Sequence, residues 1–214
     1  MSNPPVVPFW IRLAGAVAIL TLLGCVIPGK GVNDKSLGHN GSFEIVESDL
    51  PVNWIVSKYP AEKGDAEFLL DTTDAIDGAQ SLKIVVHRIG EGQWGTPFLF
   101  QVRELEPAQS YTDEFWLKNR ACKVLLEIGY EGKYHMFGGP SDEEIKDYAA
   151  HPPIKQVLGE DELGEDEWRQ FQYVYTTPET DGTIRFELEL MQPGTLWIDD
   201  VRVAKVESDA DPES

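Results

Sequence analysis

Trp116 stands between Glu114 and Lys118 in the run Tyr111-Thr112-Asp113-Glu114-Phe115-Trp116-Leu117-Lys118. In a strand that turns Tyr111, Phe115 and Leu117 toward a core, alternation turns Thr112, Glu114, Trp116 and Lys118 to the other side. The same rule places Gln101 and Arg103 opposite Phe98, Phe100 and Val102, and Gln170 and Gln172 opposite Phe171 and Tyr173. Glu127 and Arg185 are expected to share that polar face. Such a mixture has a definite chemistry. An indole plane covers the axial C–H surface of a sugar-like ring, while amides, carboxylates and a guanidinium satisfy its hydroxyls in fixed directions. Trp116, Gln101, Glu127 and Gln172 form the candidate binding set. Trp94, in the glycine-rich stretch 90–95, is a candidate rim platform, and Tyr130 and Tyr134 are further ones. A competing reading packs Trp116 beneath an inserted segment and leaves the polar side chains merely solvated.

Catalytic chemistry has less to point to. His39, His87, His135 and His151 lack zinc-like spacing, and no Gly-x-Ser-x-Gly elbow occurs. Glycoside hydrolysis needs only two carboxylates, but among 37 acids coincidental pairs are expected. The reading is therefore a non-enzyme. The formal net charge of −19 repels phosphate backbones and anionic lipid, which argues against nucleic acid as a partner and leaves neutral sugars and cations. Cys25 and Cys122 are the two cysteines. Cys122 opens an apolar run with Val124, Leu126 and Ile128, where a buried, inert thiol is expected.

The elements that must position these residues are strands. In residues 183–190, Ile184, Phe186, Leu188 and Leu190 alternate with Arg185, Glu187 and Glu189. Similar runs occupy 42–47, 67–70, 81–87, 97–103, 111–118, 122–130, 169–176 and 196–204, separated by turn signals such as Asp77-Gly78 and Asp181-Gly182. Many short strands with regular turns predict an all-β sandwich or barrel. Residues 138–167 break the rhythm. Ser141-Asp142-Glu143-Glu144 fits a helix start before Pro152-Pro153, and 160–167, with six acids in eight residues, reads as a solvated loop. This stretch is taken as a helical, acidic insertion in a domain spanning 40–206, followed by a disordered acidic tail, 207–214.

The first residues read as an address. An apolar run, 13–23, follows Arg12 and ends at Leu22-Leu23-Gly24-Cys25, which resembles the bacterial lipobox. That resemblance implies cleavage after residue 24 and lipidation of Cys25, with 25–39 as a tether. The apolar stretch 13–27 falls short of the about 20 residues needed to span a bilayer, so contact with membrane is expected through the lipid anchor only. Val26 after the cysteine favours the outer membrane of a diderm cell envelope.

Four landmarks occur in order: Asn40-Gly41-Ser42-Phe43-Glu44 with Trp54 after it; Asp77-Gly78 leading into Ser81-Leu82-Lys83-Ile84; Leu105 and Pro107 before Tyr111 and Phe115; and Trp168 through Phe171 to Trp197-Ile198-Asp199-Asp200-Val201. Together they resemble the family 4 and 9 carbohydrate-binding modules over residues 40–203. The resemblance implies a jelly roll of two antiparallel sheets with adjacent terminal strands, in which Trp54, Trp168 and Trp197 are structural. It also implies a structural calcium ion held by Glu44 and Asp199 with oxygens from 77–81, Asp77 among them. The function expected is capture of a polysaccharide or oligosaccharide. The alternative is an interaction scaffold for another envelope protein, contacted through the insertion.

Overall fold

The computed structural model describes residues 39–56, 64–91, 95–130 and 141–207. Along the chain lie β1 (Val46–Glu47), β2 (Leu50–Pro51), β3 (Ile55–Val56), β4 (Gly64–Asp71), β5 (Ser81–Ile89), β6 (Phe98–Glu104), β7 (Ser110–Arg120) and β8 (Val124–Tyr130). They are followed by α1 (Asp142–Ala150), β9 (Ile154–Leu158), α2 (Glu160–Leu163), β10 (Trp168–Thr176), β11 (Thr183–Leu190) and β12 (Gly194–Lys205). Two five-stranded antiparallel sheets result: sheet I, in the order β10-β7-β12-β5-β4, and sheet II, in the order β3-β6-β11-β8-β9. The architecture is the expected all-β jelly roll with little helix.

Alternation builds the core. Ile184, Phe186, Leu188 and Leu190 of β11 are buried and face Phe115 and Leu117 of β7 and Leu196 and Ile198 of β12 across the sandwich. Phe115 and Phe186 meet edge to face, with centroids 5.1 Å apart and planes at 80°, so aromatic contact ties the sheets at their centre. The inward residues of β12 are Leu196, Ile198, Val201 and Val203, a spacing that strict alternation cannot serve. A register shift between Asp199 and Arg202, with Asp200 at φ 51°, resolves it. This bulge keeps Val201 in the core and directs Asp199 outward.

Four expectations are corrected. The run 97–103 faces the other way: Leu99, Gln101 and Arg103 point inward, with Gln101 at 1% and Arg103 at 0% exposure, while Phe98, Phe100 and Val102 point out. The reason is a partner on the other sheet. Arg103 Nη1 donates to Asp113 Oδ2 of β7 at 2.6 Å, both side chains fully buried, and Gln101 Oε1 accepts from Arg103 Nε. Tyr175 also donates to Asp113. Burial raises the Asp113 carboxyl above its ordinary range, and the guanidinium pulls against it.

The expected insertion, described from residue 141 on, holds the short helix α1 but also β9, which completes the edge of sheet II along β8, and its acidic 160–167, expected as a solvated loop, contains α2 with Leu163 buried. The opening run 42–47 contributes only β1, since Asn40 and Phe43 take left-handed φ and the Asn40 amide ties Ile45 and Val52 into a compact turn. The terminal segments still meet, through Val201 N–H donating to Gly41 O. Trp54 is a core residue, but Trp168 and Trp197 lie on the outer face of sheet I: each pairs with outward-facing Lys118, and their indole N–H groups reach Asp74 and Asp71.

Candidate functional site

The outer face of sheet II is charged along its centre. Its central strand, β11, projects Thr183, Arg185, Glu187 and Glu189, all only half-exposed. Register places Ile55, Phe100, Glu187, Glu127 and Lys155 in one row across the five strands. Val102, Arg185 and Gly129 form the row on one side, and Phe98, Glu189, Leu125 and Val157 the row on the other. Apolar side chains therefore flank a charged centre.

Glu187 and Glu127 are direct cross-strand partners, an arrangement that like charges make unfavourable. Two cations offset it. Arg185 Nε donates to Glu187 Oε2 at 2.5 Å, and Lys155 Nζ lies 2.9 Å from Glu127 Oε2. Burial pushes the Glu187 carboxyl above its ordinary value, while Arg185 draws it down. The Arg185 guanidinium carbon sits 3.7 Å from the centroid of the Phe100 ring, and Phe98 is tilted beside that ring at 5.7 Å and 42°. Thr96 donates its hydroxyl to Glu189. Past the β3 edge, His39, Asn53, Trp54, Ile55, Val102 and Glu104 line an open pocket of about 650 Å³.

Sheet I is furnished differently. Trp168, Lys118, Trp197 and Lys83 form a row on its outer face. The ammonium groups of Lys118 and Lys83 lie 4.8 and 5.0 Å from the Trp197 ring centroid, and the Arg120 guanidinium carbon 5.7 Å. Residues 71–80 are fastened over this row by carboxylates. Asp71 Oδ2 accepts from the Trp197 indole at 2.9 Å; Asp74 accepts from the Trp168 indole at 2.8 Å and from Lys118 at 2.5 Å. Trp197 is left 4% exposed. Trp116 stands one row along, half-buried, between exposed Gln170 and buried Asp199.

The candidate set is thereby divided. Trp116 and Gln172 lie on the outer face of sheet I, where the Gln172 amide donates to Glu114 at 2.9 Å. Glu127 and Arg185, expected on the face of Trp116, lie together on the opposite outer face, that of sheet II. Gln101 is in the interior, where its amide donates to the carbonyls of His39 and Asn53. Trp94, Tyr134 and Cys25 lie outside the described residues. Sequence reasoning passed over Phe98 and Phe100 because their alternation with Gln101 and Arg103 assigns them to the core. The outward Arg185-x-Glu187-x-Glu189 of a central strand was the signal that could have led to them. Cys122 is 2% exposed and burial pushes its thiol up to about 12, as its apolar setting implied.

The carboxylates expected to hold calcium have another occupation. Asp199 Oδ2 accepts from the N–H groups of Ile76 and Asp77 at 2.6 and 3.0 Å, and its Oδ1 from Asp200 N–H at 2.7 Å. Glu44 Oε1 accepts from Ala79 and Gln80 N–H at 2.8 and 3.1 Å. Gly78 at φ 74° lets the loop pass Glu44, since a Cβ there would run into its carboxylate. No cluster of three or more His, Cys, Asp or Glu side chains placed to hold a metal ion occurs among the described residues. Burial pushes the Asp199 carboxyl up to about 6 against the lowering by these donors.

No protein-family model matches the chain, and no curated protein matches it. Solved structures do. A family 4 carbohydrate-binding module is 18% identical with a TM-score of 0.50, covering 78% of this chain and 98% of that one. The fold is that of the carbohydrate-binding-module jelly roll. A family 61 module solved with β-1,4-galactotriose is 17% identical with a TM-score of 0.51, covering 78% and 96%. The enzymatically active domain of tailspike protein 4 from bacteriophage CBA120 is 15% identical with a TM-score of 0.56 over 78% of this chain. The match spans about a fifth, 21%, of that tailspike chain.

Proposed function

We propose that the domain is a non-catalytic carbohydrate-binding module whose ligand lies across the outer face of sheet II. The observation that carries this reading is the row Ile55–Phe100–Glu187–Glu127–Lys155: an aromatic ring beside half-buried, charge-compensated carboxylates on the outer face of the sheet. Such a row offers C–H contact and directional hydroxyl acceptors together, which is what a pyranose requires. The likeness in fold to modules that bind sugars supports the reading.

Affinity electrophoresis and calorimetry with β-1,4-galactotriose, xylohexaose, cellohexaose and laminarihexaose test it. Binding to at least one, weakened about tenfold in Glu187→Gln, about 1.4 kcal/mol, and abolished in Phe100→Ala, is the expected result. Retention of binding in both variants with its loss in Trp116→Ala moves the site to sheet I. No binding to any glycan refutes the reading. Anchoring at the cell envelope through a lipid on Cys25 belongs to the same proposal. Metabolic labelling with palmitate tests it, with incorporation in the wild type and none in Cys25→Ser.

A further inference from the structure

At 3.7 Å from the centroid, the Arg185 guanidinium is in van der Waals contact with the Phe100 ring. The ring face beneath it is closed to any other planar or C–H surface. Arg185 is held there by a second contact, its Nε on Glu187 Oε2 at 2.5 Å, and Glu187 is itself the cross-strand neighbour of Phe100. The three side chains make a closed unit at the centre of the face. Its members are sheltered, with side-chain exposures of 27% for Arg185 and 18% for Glu187, so the ion pair is less weakened by solvent than one at the open surface. The aromatic plane and the carboxylate that a sugar would use are thus both engaged by one arginine.

From this we infer that Arg185 is a gate on the site, a specificity-determining residue that competes with the ligand for Phe100. The inference rests on the proposed reading of this face as a sugar site. A neutral pyranose reaches the ring by displacing the guanidinium, and a ligand too weakly stacking to displace it is rejected. The wild-type affinity is reduced by the strength of the cation–aromatic contact, equivalent to about three- to thirtyfold. Arg185 is then not a ligand contact but an intramolecular stand-in for one.

Arg185→Lys separates these roles. Lysine keeps a positive partner for Glu187 but lacks the planar group that lies flat on the ring. Arg185→Ala removes both. Calorimetry with the four neutral oligosaccharides named above, and with trigalacturonate, reads the outcome. Tighter binding of a neutral oligosaccharide by about three- to thirtyfold in Arg185→Lys is the expected result. Arg185→Ala is expected to change in the same direction. In the wild type, the Arg185 Nε–H proton resonance is displaced by the ring current of Phe100, and saturation with that oligosaccharide returns it toward the free value. Binding by the wild type with equal or weaker binding in both variants overturns the gate and leaves the sugar site standing, with Arg185 as a direct contact. Preferential binding of trigalacturonate, lost in Arg185→Lys, overturns it in favour of an anion-binding arginine. Binding by Arg185→Lys alone supports the gate most strongly. No binding by any of the three proteins removes the sugar reading and the gate with it.

Discussion

The outer faces of the two sheets are built from the same kinds of residue and put them to different use. On sheet I, indoles, lysines and aspartates satisfy one another: Trp197 is boxed by Lys83, Lys118 and Arg120, and the acids Asp71 and Asp74 close residues 71–80 over the row. On sheet II, the Phe100 ring and the Glu187 carboxylate are both engaged by the single guanidinium of Arg185, and Glu127 by Lys155. An aromatic ring among charged groups is therefore not in itself a site. What distinguishes the two faces is how many groups hold each ring: Trp197 is met by three cations and a loop carboxylate, Phe100 by one guanidinium.

The largest effect expected concerns what joins the two faces. Removing one partner of a fully buried pair strands the other charge, so Asp113→Ala should cost about 3–5 kcal/mol in chemical denaturation. Arg103→Met combined with Asp113→Leu should recover most of that loss. A double variant as unstable as the single one would mean that the pair itself, and not the stranded charge, supplies the stability. On sheet I, Asp74→Ala leaves the Trp168 indole and Lys118 without their acceptor and should cost about 1–3 kcal/mol, while sugar binding at sheet II stays as it was. Loss of binding in that variant would break the separation of the two faces.

Acid should act on sheet I by a defined route. Donation by the Thr73 hydroxyl, and then by the Trp197 indole, holds the Asp71 carboxyl down at about 2 from 3.8. A depressed carboxylate contributes its full stability above the unfolded value and loses it as pH falls toward the folded one. Stability should thus decline between pH 3.8 and about 2 in part through Asp71, and Asp71→Asn should flatten that limb in fluorescence-detected denaturation. An unchanged limb would assign the acid sensitivity elsewhere. The smallest effect expected is from calcium. With Glu44 and Asp199 turned toward amide hydrogens, adding calcium or a chelator should leave Tm unchanged. A rise of several degrees with calcium would support the expected calcium site instead.

Much of the fold was legible because it rests on patterns within single strands. The alternation of 183–190 and of 111–118 placed Phe186 and Phe115 inside and Trp116 outside, as the structure has them. The setting of Cys122 was legible for the same reason. The candidate site was legible only in part. Glu127 and Arg185 do share a face, but it is not the face of Trp116 with which they were grouped, and Gln101 was placed on the wrong side of its strand. The strand β9 was hidden because Ile154-Lys155-Gln156-Val157-Leu158 does not alternate cleanly; it is an edge strand with one buried end.

What the sequence by itself determined is the fold class: period-two hydrophobicity punctuated by turn dipeptides admits a sandwich or a barrel, since each strand must bury one side. What only the tertiary structure decided is which way β6 faces. Phe98, Phe100 and Val102 alternate with Gln101 and Arg103, so its own pattern favours the opposite orientation. The choice fell to Arg103, which goes inside because Asp113 of the other sheet is there to meet it. Hydrophobicity belongs to a residue and can be read along a chain, whereas the stability of a buried charge belongs to a pair and exists only once the strands that carry it have been brought together.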